Sequence, residues 1–213
     1  MKRIVRSFAV AAGLMLWAHP ADAQLFELGA KIGLNYSTVS VSDEDEEAGS
    51  LSGIGVGVFA RLTPGRIGVQ AEALYLRKGA TEDDPEGGDD TDVRFNYLEI
   101  PLTLVVPFGT GPATGFLFGG PAFAFEVSCN VTSAQEDAVD CDEPGLDFIE
   151  RKTFDLGAVI GGGLRVSAGI GAFFFDVRYT LGFTNLIDDP GSDESVKNRN
   201  VSVLIGYGFA LSR

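Results

Sequence analysis

The sequence predicts an all-β fold, an eight-stranded antiparallel up-and-down transmembrane β-barrel, on three observations. Apolar side chains recur at every second position through eight segments, which places them on one face of a strand. Beyond the first two dozen residues, no stretch holds the roughly 18 unbroken apolar residues that a transmembrane helix requires. The connections alternate between short and long, as in barrels with tight turns at one rim and extended loops at the other.

Residues 1–23 are set apart from the barrel domain, residues 24–213. Lys2, Arg3 and Arg6 precede an apolar run from Phe8 to Ala18, and Ala21-Asp22-Ala23 has the small-x-small form of a cleavage site. This is the pattern of a cleavable signal peptide, and it implies export; an uncleaved anchor is the alternative. Removing it leaves a net charge of −16 and no histidine, since His19 is the only one in the chain. So acidic a chain repels nucleic acid and disfavours polybasic attachment to anionic lipid.

The first segment sets Phe26, Leu28, Ala30, Ile32, Leu34 and Tyr36 against Glu27, Gly29, Lys31, Gly33 and Asn35. The second sets Ile54, Val56, Val58, Ala60 and Leu62 against Gly53, Gly55, Gly57, Phe59 and Arg61. After the turn Thr63-Pro64-Gly65-Arg66, the third runs from Ile67 to about Lys78, where Leu74 and Leu76 blur its far end. The fourth, Arg94 to Val106, places Leu98, Ile100, Leu102 and Leu104 opposite Tyr97, Glu99, Pro101 and Thr103. The fifth, Thr114 to Val127, is rich in Phe and Gly, and its faces cannot be assigned from the pattern. The sixth, seventh and eighth alternate again, around Asp155 and Arg165, around Asp176 and Arg178, and from Asn200 to Leu211. Pro101 and Pro121 each withhold a ladder donor and are expected to mark bulges.

The polar face carries Glu27, Lys31, Arg61, Glu72, Glu99, Asp155, Arg165, Asp176 and Arg178, together with many glycines. In a membrane barrel these form a self-compensating charge network in a narrow lumen, with the apolar face against lipid. A soluble lipocalin-like ligand-binding barrel inverts the two faces and is the alternative fold reading. Tyr36, Tyr75, Tyr179 and Tyr207 fall on the apolar face, where interfacial girdles form.

Of the 30 acidic residues, 23 lie in the four long connections, residues 38–51, 80–92, 128–150 and 185–197. Asp43 and Asp45 in the first, and Asp83, Asp84, Asp89 and Asp90 in the second, concentrate hard oxygen ligands for a divalent cation. Solvated, mutually repelling loops are the plainer reading, and no EF-hand spacing is present. Cys129 and Cys141 sit close together in one acidic connection of an exported chain and are expected to form a disulfide; free thiols or a half-set of metal ligands are the alternatives.

Gly29 to Ser37, Gln70-Ala71-Glu72-Ala73-Leu74-Tyr75 with Lys78-Gly79, Tyr97-Leu98-Glu99-Ile100-Pro101-Leu102, and Arg178-Tyr179-Thr180-Leu181-Gly182 form an ordered set. In these stretches the chain resembles the PorT-like outer-membrane β-barrel family, which is similar in architecture to the small OmpA- and OmpX-type barrels. The resemblance implies the same barrel and a proline tolerated at the place of Pro101; a role as accessory of an export apparatus rests on family analogy alone and is a further alternative. The closing stretch with Gly206, Phe209 and Leu211 looks like the signal read by the barrel-assembly machinery, although Ser212 and Arg213 stand where a terminal aromatic is usual.

No enzyme is expected, because a mature chain without histidine lacks the usual base for a serine nucleophile and a common metal ligand. The glycine run Gly161-Gly162-Gly163 precedes no helix, so it reads as lumen packing rather than a phosphate loop. No cofactor is expected. The partners are outer-membrane lipid, the barrel-assembly machinery during biogenesis, and divalent cations or surface partners at the loops. The function expected is a structural or surface-interaction barrel in the outer membrane of a Gram-negative bacterium, presenting four acidic extracellular loops, with a narrow cation-preferring pore as the alternative.

Overall fold

The computed structural model describes residues 25–41, 49–82, 91–133, 136–141, 152–184 and 196–211. Its strands are β1 (Leu25–Val41), β2 (Gly49–Thr63), β3 (Gly68–Glu82), β4 (Thr91–Phe108), β5 (Ala113–Ser133), β6 (Glu136–Asp140), β7 (Phe154–Ala168), β8 (Gly171–Gly182) and β9 (Val196–Ala210). Eight of these make the wall. Each pairs antiparallel with its neighbours, β5 passes to β7, and β9 pairs with β1 to close the circle. Closure gives each stave two hydrogen-bonded neighbours, as a spanning sheet in lipid must have.

The ninth strand, β6, adds to the expected count. Instead of opening directly into a loop, β5 runs on past its partner β7, and β6 folds back on it with Asn130 opposite Asp140 and Val131 opposite Val139. A disulfide between Cys129 and Cys141 closes the base of this hairpin, with Cα atoms 5.4 Å apart.

Alternation sorts the side chains as the binary pattern requires. Ile32, Val58, Leu104, Leu117 and Ile160 on the outer face are each more than half exposed. An apolar surface this continuous is strongly unfavourable in water, at about 25 cal/mol per Å²; against lipid it is the stable arrangement. Tyr36 and Tyr179 flank Val201 from either side in one outward row, and Tyr207 donates a hydrogen bond to the Ala168 carbonyl at the opposite rim.

The prolines depart from expectation. The β3–β4 ladder resumes past Pro101 in unchanged register, from Ala71–Leu102 to Leu74–Glu99, and Pro121 keeps its place opposite Ala158. The shift in the β4–β5 ladder falls instead between Asn96 and Tyr97, opposite Ser128 and Glu126. Lacking an N–H, a proline drops a bond from the ladder, but it inserts no extra residue.

Two short turns use glycine's access to positive φ. Gly109 and Gly111 have φ of 87° and 91° in the β4–β5 turn, and Gly169 has 60° in the β7–β8 turn. On the inner face, Gly206 is packed so closely that a Cβ there would stand 2.6 Å from Cγ of Lys31. Gly206→Leu is expected to destabilise the barrel by about 1–3 kcal/mol through overpacking, read as a lower temperature for loss of the compact, heat-modifiable gel band. Reduction of the Cys129–Cys141 bond is expected to leave that band intact, because the bond lies beyond the last β5–β7 pair at Phe125–Phe154.

Candidate functional site

Among the described residues, the lumen gathers chemically active side chains from distant parts of the chain, and it is layered. Near the short turns, Arg61 on β2 lies over the rings of Phe116 and Phe174, 4.2 and 4.7 Å from their centroids, and its Nε donates to Gln70 Oε1 at 2.6 Å. Beside it, Arg165 on β7 pairs with Glu27 on β1 at 2.8 Å.

The middle layer is a four-membered knot from β1, β3 and β8. Lys31 Nζ lies 2.7 Å from Glu72 Oε1 and 2.7 Å from Asp176 Oδ2. Arg178 closes the ring, with its NH1 2.6 Å from Glu72 Oε2 and its NH2 2.7 Å from Asp176 Oδ1. All four side chains are wholly shielded from solvent. Two cations and two carboxylates cancel, and each carboxylate oxygen has a charged donor. Such saturation stabilises the knot and leaves no free acid or base for proton transfer.

Rings extend the same chemistry. Lys31 sits 5.0 Å above Phe59 and Arg178 5.2 Å above Phe118, so aromatic faces cover the sides of the cations that the carboxylates do not. Glycines on other strands admit the lumenal rings: a Cβ at Gly163 on β7 would lie 2.7 Å from Phe116, and one at Gly208 on β9 would lie 2.8 Å from Phe59.

Toward the long loops, Lys78 Nζ donates to Glu99 Oε2 at 2.6 Å and lies 5.2 Å over the Tyr97 ring. Asp155 Oδ2 accepts from Asn198 Nδ2 at 3.0 Å.

The nine charged residues read from the sequence as lumenal all face inward, and Arg165 alone keeps appreciable solvent contact, at 17% of its side chain. They form separate groups rather than one network. Asp43, Asp45, Asp83, Asp84, Asp89 and Asp90 lie outside the described residues. Among the described residues, no group of three or more His, Cys, Asp or Glu side chains is arranged to hold a metal.

The sequence pattern puts Phe59, Tyr97 and Asn35 on the inner face, as the structure has them, but leaves Lys78, Phe116 and Phe118 without an assigned face. Parity carried the signal: Leu74, Leu76 and Lys78 continue the even-numbered inner face of Gln70 and Glu72. The fifth segment's inner face is Phe116, Phe118, Ala122 and Ala124. Gly162 is a smaller correction, since its neighbour is the outward Leu117, whereas Gly161 and Gly163 back onto lumenal rings.

An apolar exterior, a closed ladder and a charge-filled interior define a transmembrane β-barrel. The chain belongs to the family of the outer membrane protein beta-barrel domain, which matches residues 21–188, and the outer membrane is accordingly its location. Among solved structures it is similar to the attachment invasion locus protein Ail of Yersinia pestis, 16% identical with a TM-score of 0.46 over 86% of this chain and 98% of that one. It is also similar to neisserial surface protein A, at 12% identity and a TM-score of 0.47 over 85% of this chain and 95% of that one. A major outer membrane protein of Thermus thermophilus gives 13% identity and a TM-score of 0.48 over 89% of this chain and 100% of that one. No curated protein matches the chain.

Arg178→Met leaves Glu72 and Asp176 with Lys31 alone. It is expected to cost about 3–5 kcal/mol, the usual penalty for stranding a buried charge, measured as a lower urea midpoint of the barrel in detergent. Adding Glu72→Gln to that variant is expected to cost less than the sum of the single changes, because the two residues share hydrogen bonds.

Proposed function

We propose that this protein is a non-enzymatic outer-membrane anchor that presents acidic loops at the cell surface, in a structural or interaction role. The observation that carries this reading is the saturated knot of Lys31, Glu72, Asp176 and Arg178 across the lumen. Flanked by Phe59, Phe116, Phe118 and Phe174, it fills the cross-section that a pore would need open. With the interior spent on packing, the surfaces left for recognition are the rim and its loops.

Acidity supports the same assignment. The long connections hold most of the chain's carboxylates, and Asp43, Asp45, Asp83, Asp84, Asp89 and Asp90 supply hard oxygens to divalent cations or face a cationic partner. The signal-like segment 1–23 supports export before insertion. The stretches similar to the PorT-like family support a finer family placement, and service to an export apparatus is an alternative that rests on that analogy alone.

Planar-bilayer recording tests the plug. The full-length protein is expected to give no steady conductance, and steady cation-selective steps would favour the narrow pore instead. In isolated outer membranes the protein is expected to shift in gel mobility between unboiled and boiled samples; a soluble periplasmic protein without the shift would return the lipocalin-like reading to the front.

A further inference from the structure

On the loop side of the knot, the lumen holds a chamber of about 10 Å³ bounded in part by Glu99, Asp155, Thr180 and Asn200. That is about the space of one water molecule or one desolvated ion. Glu99 Oε1, Asp155 Oδ1, Thr180 Oγ1 and Asn200 Oδ1 are all buried without a hydrogen-bond partner in the protein. Their residues are at most 5% exposed.

The other polar atoms of three of these residues are engaged. Lys78 donates to Glu99 Oε2, Asn198 to Asp155 Oδ2, and the Asn200 amide to Ser202 Oγ. Four unpartnered oxygens on one small space make a hard-oxygen donor set with no nitrogen or sulfur in it, the type that alkali and alkaline-earth cations take.

Charge separates an ion from a water. In the knot, two carboxylates meet two cations; this chamber is lined by two carboxylates, Glu99 and Asp155, and by one ammonium, that of Lys78, which pairs with Glu99. One negative charge is left over in a site shielded from water, which is costly unless a positive charge joins it. A water molecule satisfies the hydrogen bonds and leaves that charge in place. A monovalent cation satisfies both, whereas a divalent one overshoots to a net positive charge.

We propose that the chamber formed by Glu99, Asp155, Thr180 and Asn200 binds one monovalent cation of the size of Na⁺. The site is separate from the acidic loops and does not depend on what those loops recognise. Its role is to complete the charge balance of the lumen and link β4, β7, β8 and β9 at the loop end.

The test is urea unfolding of the full-length barrel in non-ionic detergent, comparing NaCl with N-methyl-glucamine chloride at equal ionic strength. Sodium is expected to stabilise in a saturable way, making the folding equilibrium about 100-fold more favourable at 100 times the dissociation constant. Asp155→Asn is expected to abolish the sodium response, and Thr180→Val to weaken it while keeping the charge. Gly182→Ala is expected to weaken it too, because the added methyl would lie 2.8 Å from Asp155 Oδ2. Equal midpoints in the two salts would overturn the proposal in favour of a water or a bound proton. So would a full response retained in Asp155→Asn, which would locate the ion elsewhere, or a response to Ca²⁺ with none to Na⁺.

Discussion

A sheet of eight strands closed on itself encloses a space that side chains must fill, and lipid outside denies any charged group an escape. Everything inside therefore has to balance electrically and fit sterically at once. The knot of Lys31, Glu72, Asp176 and Arg178 meets both demands. It ties β1, β3 and β8 together across the barrel through contacts between residues 41, 106 and 145 positions apart in the chain. Apolar residues could fill the same space, and buried ion pairs seldom add much net stability over them. What the ions add is geometry: each carboxylate must find its own donors, which penalises slipped registers that an oily core would tolerate.

Glycine and phenylalanine divide the remaining space between them. Gly161 and Gly163 on β7 leave room for the Phe118 and Phe116 rings of β5, and Gly29 and Gly208, paired across β1 and β9, make way for Phe59. Phe59 and Phe174 pack edge to face at 4.9 Å between centroids. The rings in turn lie over Lys31, Arg61 and Arg178, so the aromatic packing belongs to the electrostatics as well as to the core.

Outside the lumen the constraints relax in order. Lipid requires only that the outer face be apolar. At the loop end the wall continues into the β5–β6 hairpin, where a disulfide between the buried Cys129 and Cys141 ties the two strands together covalently. The interior is over-determined, and 23 of the chain's 30 acidic residues lie in the long connections rather than in the wall.

Much of this was written in one dimension. Period-two alternation determined the strands, their two faces, the even count of staves and which charges point inward, because a pleated strand sends successive side chains to opposite sides whatever it pairs with. It left Leu74, Leu76 and Lys78 unassigned and could not sort β5, because a lumen that admits leucine and phenylalanine breaks the equation of apolar with outward. Which cation meets which carboxylate, that Pro101 and Pro121 shift no register, and that Glu99, Asp155, Thr180 and Asn200 share one chamber were decided only by the tertiary structure. Those neighbours are set by the stagger of the closed sheet, which places residues side by side across strands far apart in the chain, and a local pattern carries no record of that stagger.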